Sequence, residues 1–168
     1  LVTRPNDSDA LYTSALLSMQ LGEWSKAQKS LARIPFDKRN SDIARLVAEV
    51  DFNLQMQKIE ALNRSGRRAE ARAFLGRIEH LADGKQSRQV SLASAYASAG
   101  DSQRAIAIMR DVLARSPRSD LSLTLSYAGV LLQAEQDTEV AAILRDVQGR
   151  SMTVEQRRQY DDLLFLYR

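Results

Sequence analysis

The chain has 168 residues, 44% of them hydrophobic and 27% charged, with a net charge of +3 and no cysteine. It is therefore long enough to bury a core and too apolar for a disordered tail, and disulfide and thiolate chemistry are excluded. Acidic and basic residues are interspersed without a run of like charge, which argues against a nucleic-acid arm although the pI is about 9.4.

The longest apolar run, Tyr127 to Leu132, is far too short to cross a bilayer, and no signal-peptide pattern is present. The absence of cysteine leaves the compartment open. The chain opens on "LVTRPNDSD" and stops at Arg168 inside a helical pattern, so it reads as a piece of something longer. No useful length of alternating strand pattern occurs, and an all-α protein is expected.

Punctuation organises the helices. Pro5, Pro35 and Pro117 lie at the ends of periodic segments, and Gly22, Gly66 and Gly100 each follow an apolar helical stretch where a C-cap belongs. Four segments align on the short turn: "SMQLGEWSKAQKSL", "EALNRSGRRAEARAFL", "YASAGDSQRAIAIM" and "LLQAEQDTEVAAIL". A small residue follows each turn at Ala27, Ala71, Ala105 and Val140, at spacings of 44, 34 and 35. The fourth segment has no glycine at its turn.

Chain order gives the expected elements. In the first hairpin Ala15 pairs with Ala27, and Pro35 comes early enough to shorten the second helix. Ser41 is a plausible N-cap for a long helix running to Arg64 without Gly or Pro. Ile43, Leu46, Val47, Val50 and Leu54 keep one face of it, and Phe52, Met56, Ile59 and Leu62 another, so it is buried on different faces along its length or bent near 52–56. Its Ile59 pairs with Ala71. In the third hairpin Ala93 and Ala105 allow close approach, and Leu92, Tyr96, Met109 and Val112 fill the space around them. Gly100 caps the first helix, and Asp101 and Ser102 are candidate N-caps for the second. The fourth hairpin pairs Ala128 with Val140. Thr153 with Gln156 fits a capping box before a last helix that carries Tyr160, Leu163, Leu164 and Tyr167.

The spacings of 34 and 35, and the residues Leu92, Ala93, Tyr96, Gly100, Ala105 and Pro117, resemble the tetratricopeptide repeat. The expected fold is an all-α right-handed superhelix, or α-solenoid, of four helix hairpins and a terminal helix. The repeats fall at about 8–38, 41–83, 86–118 and 120–150, with the terminal helix at 153–168, in one solenoid spanning 1–168. Each hairpin is unable to bury its own apolar faces, and stacking buries them. The repeated pattern is scaffold and carries no chemistry.

Candidate chemistry is sparse. His80 is the single histidine, and a zinc site would have to be completed by carboxylates alone. Asp161 and Asp162 are neighbours and point about 100° apart on a helix, which suits a solvated face. "GRIEHLADGK", Gly76 to Lys85, ends like a phosphate loop, but its glycines are eight apart, no Ser or Thr follows Lys85 and no strand precedes it. Asn6-Asp7-Ser8 and Asn63-Arg64-Ser65 match the glycosylation sequon, a triplet common by chance. Trp24 sits where the turn wants an aromatic, so packing is expected. No enzyme and no cofactor are expected.

A repeat scaffold of this kind works through the concave face lined by the first helix of each hairpin. Projection places there Tyr12, Leu16, Met19 and Gln20; then Asn53, Met56, Glu60, Asn63 and Arg64; then Ser87, Val90, Ser94, Ala97 and Ser98; then Ser122, Leu125, Gly129, Leu132 and Gln133. The Lys/Asn/Arg set that clamps a C-terminal carboxylate in chaperone-binding members is absent. Tyr12 is the one aromatic, where a glycan-gripping surface would show several.

The "L-x-x-I-P" ending at Leu31 to Pro35, the "R-x-S-D-I-x-x-L" entry at Arg39 to Leu46 into an overlong helix and the closing "QRRQYDDLLFLYR" are similar to the periplasmic repeat region of the cellulose synthase operon protein C family. Tetratricopeptide porins of other exopolysaccharide systems are close competitors. The resemblance implies a non-enzymatic periplasmic scaffold and spacer, attached to an outer-membrane β-barrel that exports the glucan. The implied partners are proteins of the synthase and export complex, with peptidoglycan or the glucan chain as further candidates and no nucleic acid. A cytosolic adaptor that binds a peptide or helix in its groove, and a solenoid that binds glucan directly, are the alternatives.

Overall fold

A computed structural model describes residues 7–117 and 120–167. The readings placed on Pro5, on Asn6 of the first sequon, on the third repeat's end at 118 and on Arg168 lie outside the described residues. Among the described residues the regular structure is helical: α1 (Ser8–Gln20), α2 (Trp24–Ala32), α3 (Ser41–Arg64), α4 (Arg68–Ile78), α5 (Gln86–Ser98), α6 (Ser102–Arg115), α7 (Leu121–Gln133), α8 (Asp137–Val147) and α9 (Val154–Tyr167). Short 3-10 turns follow α2 at Phe36–Lys38 and α4 at Glu79–Ala82. This is the all-α tetratricopeptide class that the periodicity predicts.

The chain divides into two compact units, Leu1–Lys58 and Ile59–Arg168. In the first, α1 packs on α2. Leu11, Ala15, Ala27, Leu31, Ile34, Ile43 and Val50 make one buried cluster, with Tyr12, Met19, Trp24, Leu46, Val47 and Leu54 partly buried against it. Trp24 is thus a packing residue. With Pro35 just beyond it, α2 has 9 residues against 14 in α6. A proline cannot continue the helical hydrogen bonding, which is why the helix stops early.

In the second unit α5 packs on α6 and α7 on α8, while α7 also touches α5, α6 and α9. Leu121, Leu125, Ala128, Leu131, Val140, Leu144, Val147, Tyr160 and Leu163 form its buried cluster. α9 is attached through Tyr160 and Leu163, whereas Phe165 and Leu166 are exposed.

The hairpins share one local code. Ala15 and Ala27, Ile59 and Ala71, Ala93 and Ala105, and Ala128 and Val140 are all 0% exposed. Full burial of all eight is what close helix approach at the aligned small residues predicts, and a larger side chain there would hold the helices apart.

Caps set the helix starts. Asp101 is the N-cap of α6, its carboxylate accepting from Arg104 N at 3.1 Å, so Ser102 is the first helical residue instead. The expected N-cap Ser41 is corrected in the same way. Asn40 Oδ1 accepts from Asp42 N at 3.1 Å and Ile43 N at 3.0 Å, which leaves Ser41 inside the helix. An amide oxygen one residue earlier reaches the two orphan N–H groups, and the helix starts there. The capping box is formed in full: Thr153 N donates to Gln156 Oε1 at 3.0 Å, and Gln156 N donates to Thr153 Oγ1 at 3.2 Å.

The helix-to-helix turn is one backbone motif used four times. After α5, Asp101 N donates to Tyr96 O and Gly100 N to Ala97 O, both at 2.9 Å. After α7, Gln136 N donates to Leu131 O at 2.9 Å and Glu135 N to Leu132 O at 3.1 Å. The same pairs of bonds follow α1 and α3. This is the Schellman termination, and it needs one residue in the left-handed region. Gly22, Gly66 and Gly100 supply it at φ 70°, 76° and 81°, and Glu135 supplies it at φ 56°. The fourth segment therefore keeps the turn although it lacks the glycine. Left-handed backbone costs a non-glycine residue about 1–2 kcal/mol, so Glu135 holds its place against a local penalty.

Candidate partner-binding face

In the first unit Tyr12, Leu16 and Met19 of α1 are half-buried, and Tyr12 and Met19 pack on the core cluster. Gln20 is exposed. Asn53 of α3 is half-buried and spends its amide on its own helix, donating from Nδ2 to Glu49 O at 2.9 Å and Glu49 Oε1 at 3.1 Å. Met56 is half-buried. The one aromatic of the projected face is thus largely engaged in packing.

In the second unit Glu60 and Arg64 of α3 are exposed and Asn63 is half-buried. Asn63 Nδ2 reaches Ala95 O at 3.4 Å, and its Oδ1 is buried without a hydrogen-bond partner. On α5, Ser87, Ser94 and Ser98 are exposed, Val90 is half-buried and Ala97 is buried. On α7, Ser122 and Gln133 are exposed and Leu132 and Gly129 are half-buried. Leu125 is corrected: it is 0% exposed inside the core cluster and offers no surface. Its neighbours Leu121, Ala128 and Leu131 are buried with it, so at this point the helix turns its apolar stripe, and not its open face, to the position the projection chose.

Exposed and half-buried polar groups of this unit bond across neighbouring helices at about the repeat spacing. Ser98 Oγ donates to Gln133 Oε1 at 3.4 Å, Gln86 Nε2 to Asp120 Oδ2 at 3.4 Å and Gln156 Nε2 to Ser122 Oγ at 2.9 Å. Gln159 Nε2 reaches Ser126 Oγ at 3.5 Å. The projection missed Gln86, Ser126, Gln156 and Gln159. The offset of 33 to 35 residues within each bonded pair was the available signal. Among the described residues α7 carries no charged side chain, and α5 carries one, the buried Arg88. The face of α5 and α7 is therefore neutral, hydroxylated and laced together.

Charge gathers on other elements. Glu79, at the start of the 3-10 turn after α4, accepts from Tyr96 Oη at 2.8 Å and pairs with Arg104. Burial by itself pushes the Glu79 carboxyl up, but the hydrogen bonds from Arg104 and Tyr96 outweigh it and hold the carboxyl below its ordinary value. Burial and the same contact push the Tyr96 hydroxyl up. Arg72 Nη1 donates to Ala99 O at 2.6 Å and Arg88 Nη1 to Leu81 O at 2.9 Å, each guanidinium tying α4 and its 3-10 turn to the neighbouring hairpin. These contacts lock the scaffold.

An open hollow of about 560 Å³ lies at the turn end of the second unit, lined by Arg68, Ala97, Ser98, Gly100, Ser102, Gln133, Ala134 and Glu135. It draws on the N-terminus of α4 and on the turns that close α5 and α7.

The remaining sequence candidates sit apart from one another. His80 is exposed in the 3-10 turn, and Asp161 and Asp162 are exposed on α9. Gly76 to Lys85 is the end of α4, a 3-10 turn and a turn at Gly84, with no strand before it. Asn63 and Arg64 of the second sequon are the last two residues of α3. Among the described residues no group of three or more His, Asp or Glu side chains could hold a metal ion, and no helix is long and apolar enough to cross a membrane.

Three comparisons bear on this arrangement. The family described as "Tetratricopeptide repeat" matches residues 89–119, which overlaps nearly all of the third repeat expected at about 86–118. The chain is 42% identical over 168 residues to cellulose synthase operon protein C of Pseudomonas fluorescens (strain SBW25), covering 100% of this chain and 13% of that protein. It is 38% identical over 172 residues to cellulose synthase operon protein C of Xanthomonas axonopodis pv. citri (strain 306), covering 99% of this chain and 11% of that protein. The chain thus spans roughly an eighth of the length of the curated relatives it matches. No solved structure matches. The four hairpins and the repeat match agree on an all-α tetratricopeptide-repeat fold, and from end to end this chain is similar to a stretch of cellulose synthase operon protein C.

Proposed function

We propose that the chain is a non-enzymatic, periplasmic section of a cellulose synthesis and export protein, working by protein docking and by spacing. The observation that carries this reading is the likeness at 42% identity along the whole chain to a protein named for the cellulose synthase operon. The fold supports it, because stacked hairpins offer a long solvent-facing surface without a reaction centre. Tyr12, Leu16, Met19, Gln20, Asn53 and Met56 in the first unit, and Glu60, Asn63, Arg64, Ser87, Ser94, Ser98 and Gln133 in the second, are the proposed contact residues. In this reading the longer protein carries an outer-membrane barrel, and its partners are proteins of the synthase and export complex.

Direct glucan binding is the competing reading, favoured by the neutral hydroxyl and amide face of α5 and α7. Against it, those groups are bonded to one another and the single projected aromatic is half-buried. Cross-linking in a periplasmic extract with mass-spectrometric identification, run beside calorimetry with a soluble cello-oligosaccharide, tests the two. Cross-links to proteins of the polysaccharide synthase or its export apparatus, without sugar heat, are expected. Saturable sugar binding without such cross-links overturns the docking reading.

A further inference from the structure

We propose that the hollow at the turn end of the second unit is a docking pocket for a peptide segment of a partner protein, which presents a basic side chain to Glu135 and a carboxylate to Arg68. The inference rests on the docking reading above and names the place and chemistry of one contact.

Three observations meet at this hollow. The first is backbone strain. Three of the four hairpin turns place glycine in the left-handed position and the fourth places Glu135 there, at φ 56°. Residues held in sparsely populated backbone regions gather where a side chain is wanted for something other than the fold. The α8 N-terminus does not explain this carboxylate, because Asp137 and Glu139 already stand in its first turn.

The second observation is Arg68. It is the first residue of α4, at the end of the helix where the unpaired N–H groups disfavour a cation. The neighbouring Arg67 is neutralised by Glu70 through two hydrogen bonds, at 2.6 and 2.5 Å. Among the described residues Arg68 has no such partner. It is a second departure from local preference, and it lines the same hollow as the first.

The third is the rest of the lining. Arg68 and Glu135 form no ion pair with each other, and neither makes a side-chain hydrogen bond among the described residues. Ser98, Ser102 and Gln133 line the hollow with them, and the Ser98–Gln133 contact is long at 3.4 Å and weak enough to exchange for a ligand. Two unmatched charges of opposite sign over a hydroxyl and amide floor suit an extended peptide that carries both signs. Backbone amides bond the floor and charged side chains select the register. A neutral sugar would leave both charges unanswered.

Amide NMR titration of the whole chain tests this with blocked lysine–glycine–glutamate peptides of increasing glycine spacer, and with glutamine counterparts of the same lengths. Saturable shifts at Ser98, Gln133, Ala134 and Glu135 are expected with a charged peptide and not with its glutamine counterpart. Glu135→Gln and Arg68→Gln should each weaken binding about tenfold. Glu135→Gly should raise the melting temperature while losing the same binding, a combination that a purely structural residue would not give. Absence of saturable shifts with every charged peptide overturns the proposal, as does equal response to the glutamine peptides or full binding by both glutamine variants. If the pocket fails while the cross-links to export proteins persist, the docking reading stands without it. If no protein cross-links form, that reading falls on its own test.

Discussion

The hairpins α5–α6 and α7–α8 are built on one plan from different residues. Both close the first helix with the same two turn bonds, and both bury a small residue five positions after the left-handed one, Ala105 after Gly100 and Val140 after Glu135. In the first, glycine and alanine fit the geometry without strain. In the second, glutamate sits in left-handed backbone and valine replaces alanine at 0% exposure. The turn survives because stacking against the neighbouring helices over-determines it. Tertiary packing outweighs a local penalty of about 1–2 kcal/mol at one residue.

The sharpest way to break the comparison is to enlarge the small residue of the well-matched hairpin. Ala105→Leu should overpack the α5–α6 contact and destabilise the fold by about 1–3 kcal/mol, read from urea unfolding. An unchanged midpoint would mean that Ala105 does not sit at the closest approach. Next comes transplanting the strained turn. Gly100→Glu should cost about 1–2 kcal/mol, because the third hairpin would then carry the burden of the fourth. No loss there would mean that the turns tolerate a side chain freely and that Glu135 is not strained. The reverse exchange is smaller in effect and opposite in sign. Glu135→Gly should stabilise by about 1 kcal/mol or less, since relief of strain is partly offset by the flexibility glycine adds to the unfolded chain. A lower midpoint would show that the glutamate side chain supports the turn.

The smallest expected effect is acidic. Glu79 binds across to Tyr96 of α5 and Arg104 of α6, whereas in the α7–α8 hairpin Glu139 makes only longer, more exposed contacts, accepting from Tyr127 Oη at 3.2 Å and pairing with Arg110 at 3.5 Å. Because the Glu79 carboxyl titrates lower in the fold than in the unfolded chain, its contribution is present above the usual carboxylate pKa. It is lost as pH falls through the lower folded value. The wild type should therefore lose more stability on acidification than Glu79→Gln. Equal loss in the two would show that the contact contributes nothing. Arg104 is half exposed, so the difference should also shrink with salt.

Much of this was legible in the residues. The 12-residue interval from Ala15 to Ala27, repeated as Ile59 to Ala71, Ala93 to Ala105 and Ala128 to Val140, located four pairs of fully buried residues. Pro35, Gly100 and the Thr153–Gln156 pair located a helix end, a turn and a helix start, because each acts through backbone geometry that its own chemistry dictates. Caps one residue away were harder: Asn40 beside Ser41 is a choice between two competent side chains that only the path of the chain decides.

The candidate face was legible in outline and wrong in detail. Helical projection put Ser94, Ser98, Ser122 and Gln133 on exposed surface, yet it also put Leu125 there, since a pattern within one helix does not reveal which neighbours cover it. The glutamine-to-serine bonds between helices, the Glu79–Tyr96–Arg104 lock and the meeting of Arg68 with Glu135 at one hollow join residues far apart in the chain. The sequence by itself determined the local code: helix periods, glycine and proline stops and the small residues at the contacts, because these follow from backbone sterics within a few residues. Only the tertiary structure decided which polar groups pair between repeats, where a non-glycine residue bears left-handed strain, and which charges are left facing an open hollow, because those are fixed by the stacking of one hairpin on the next.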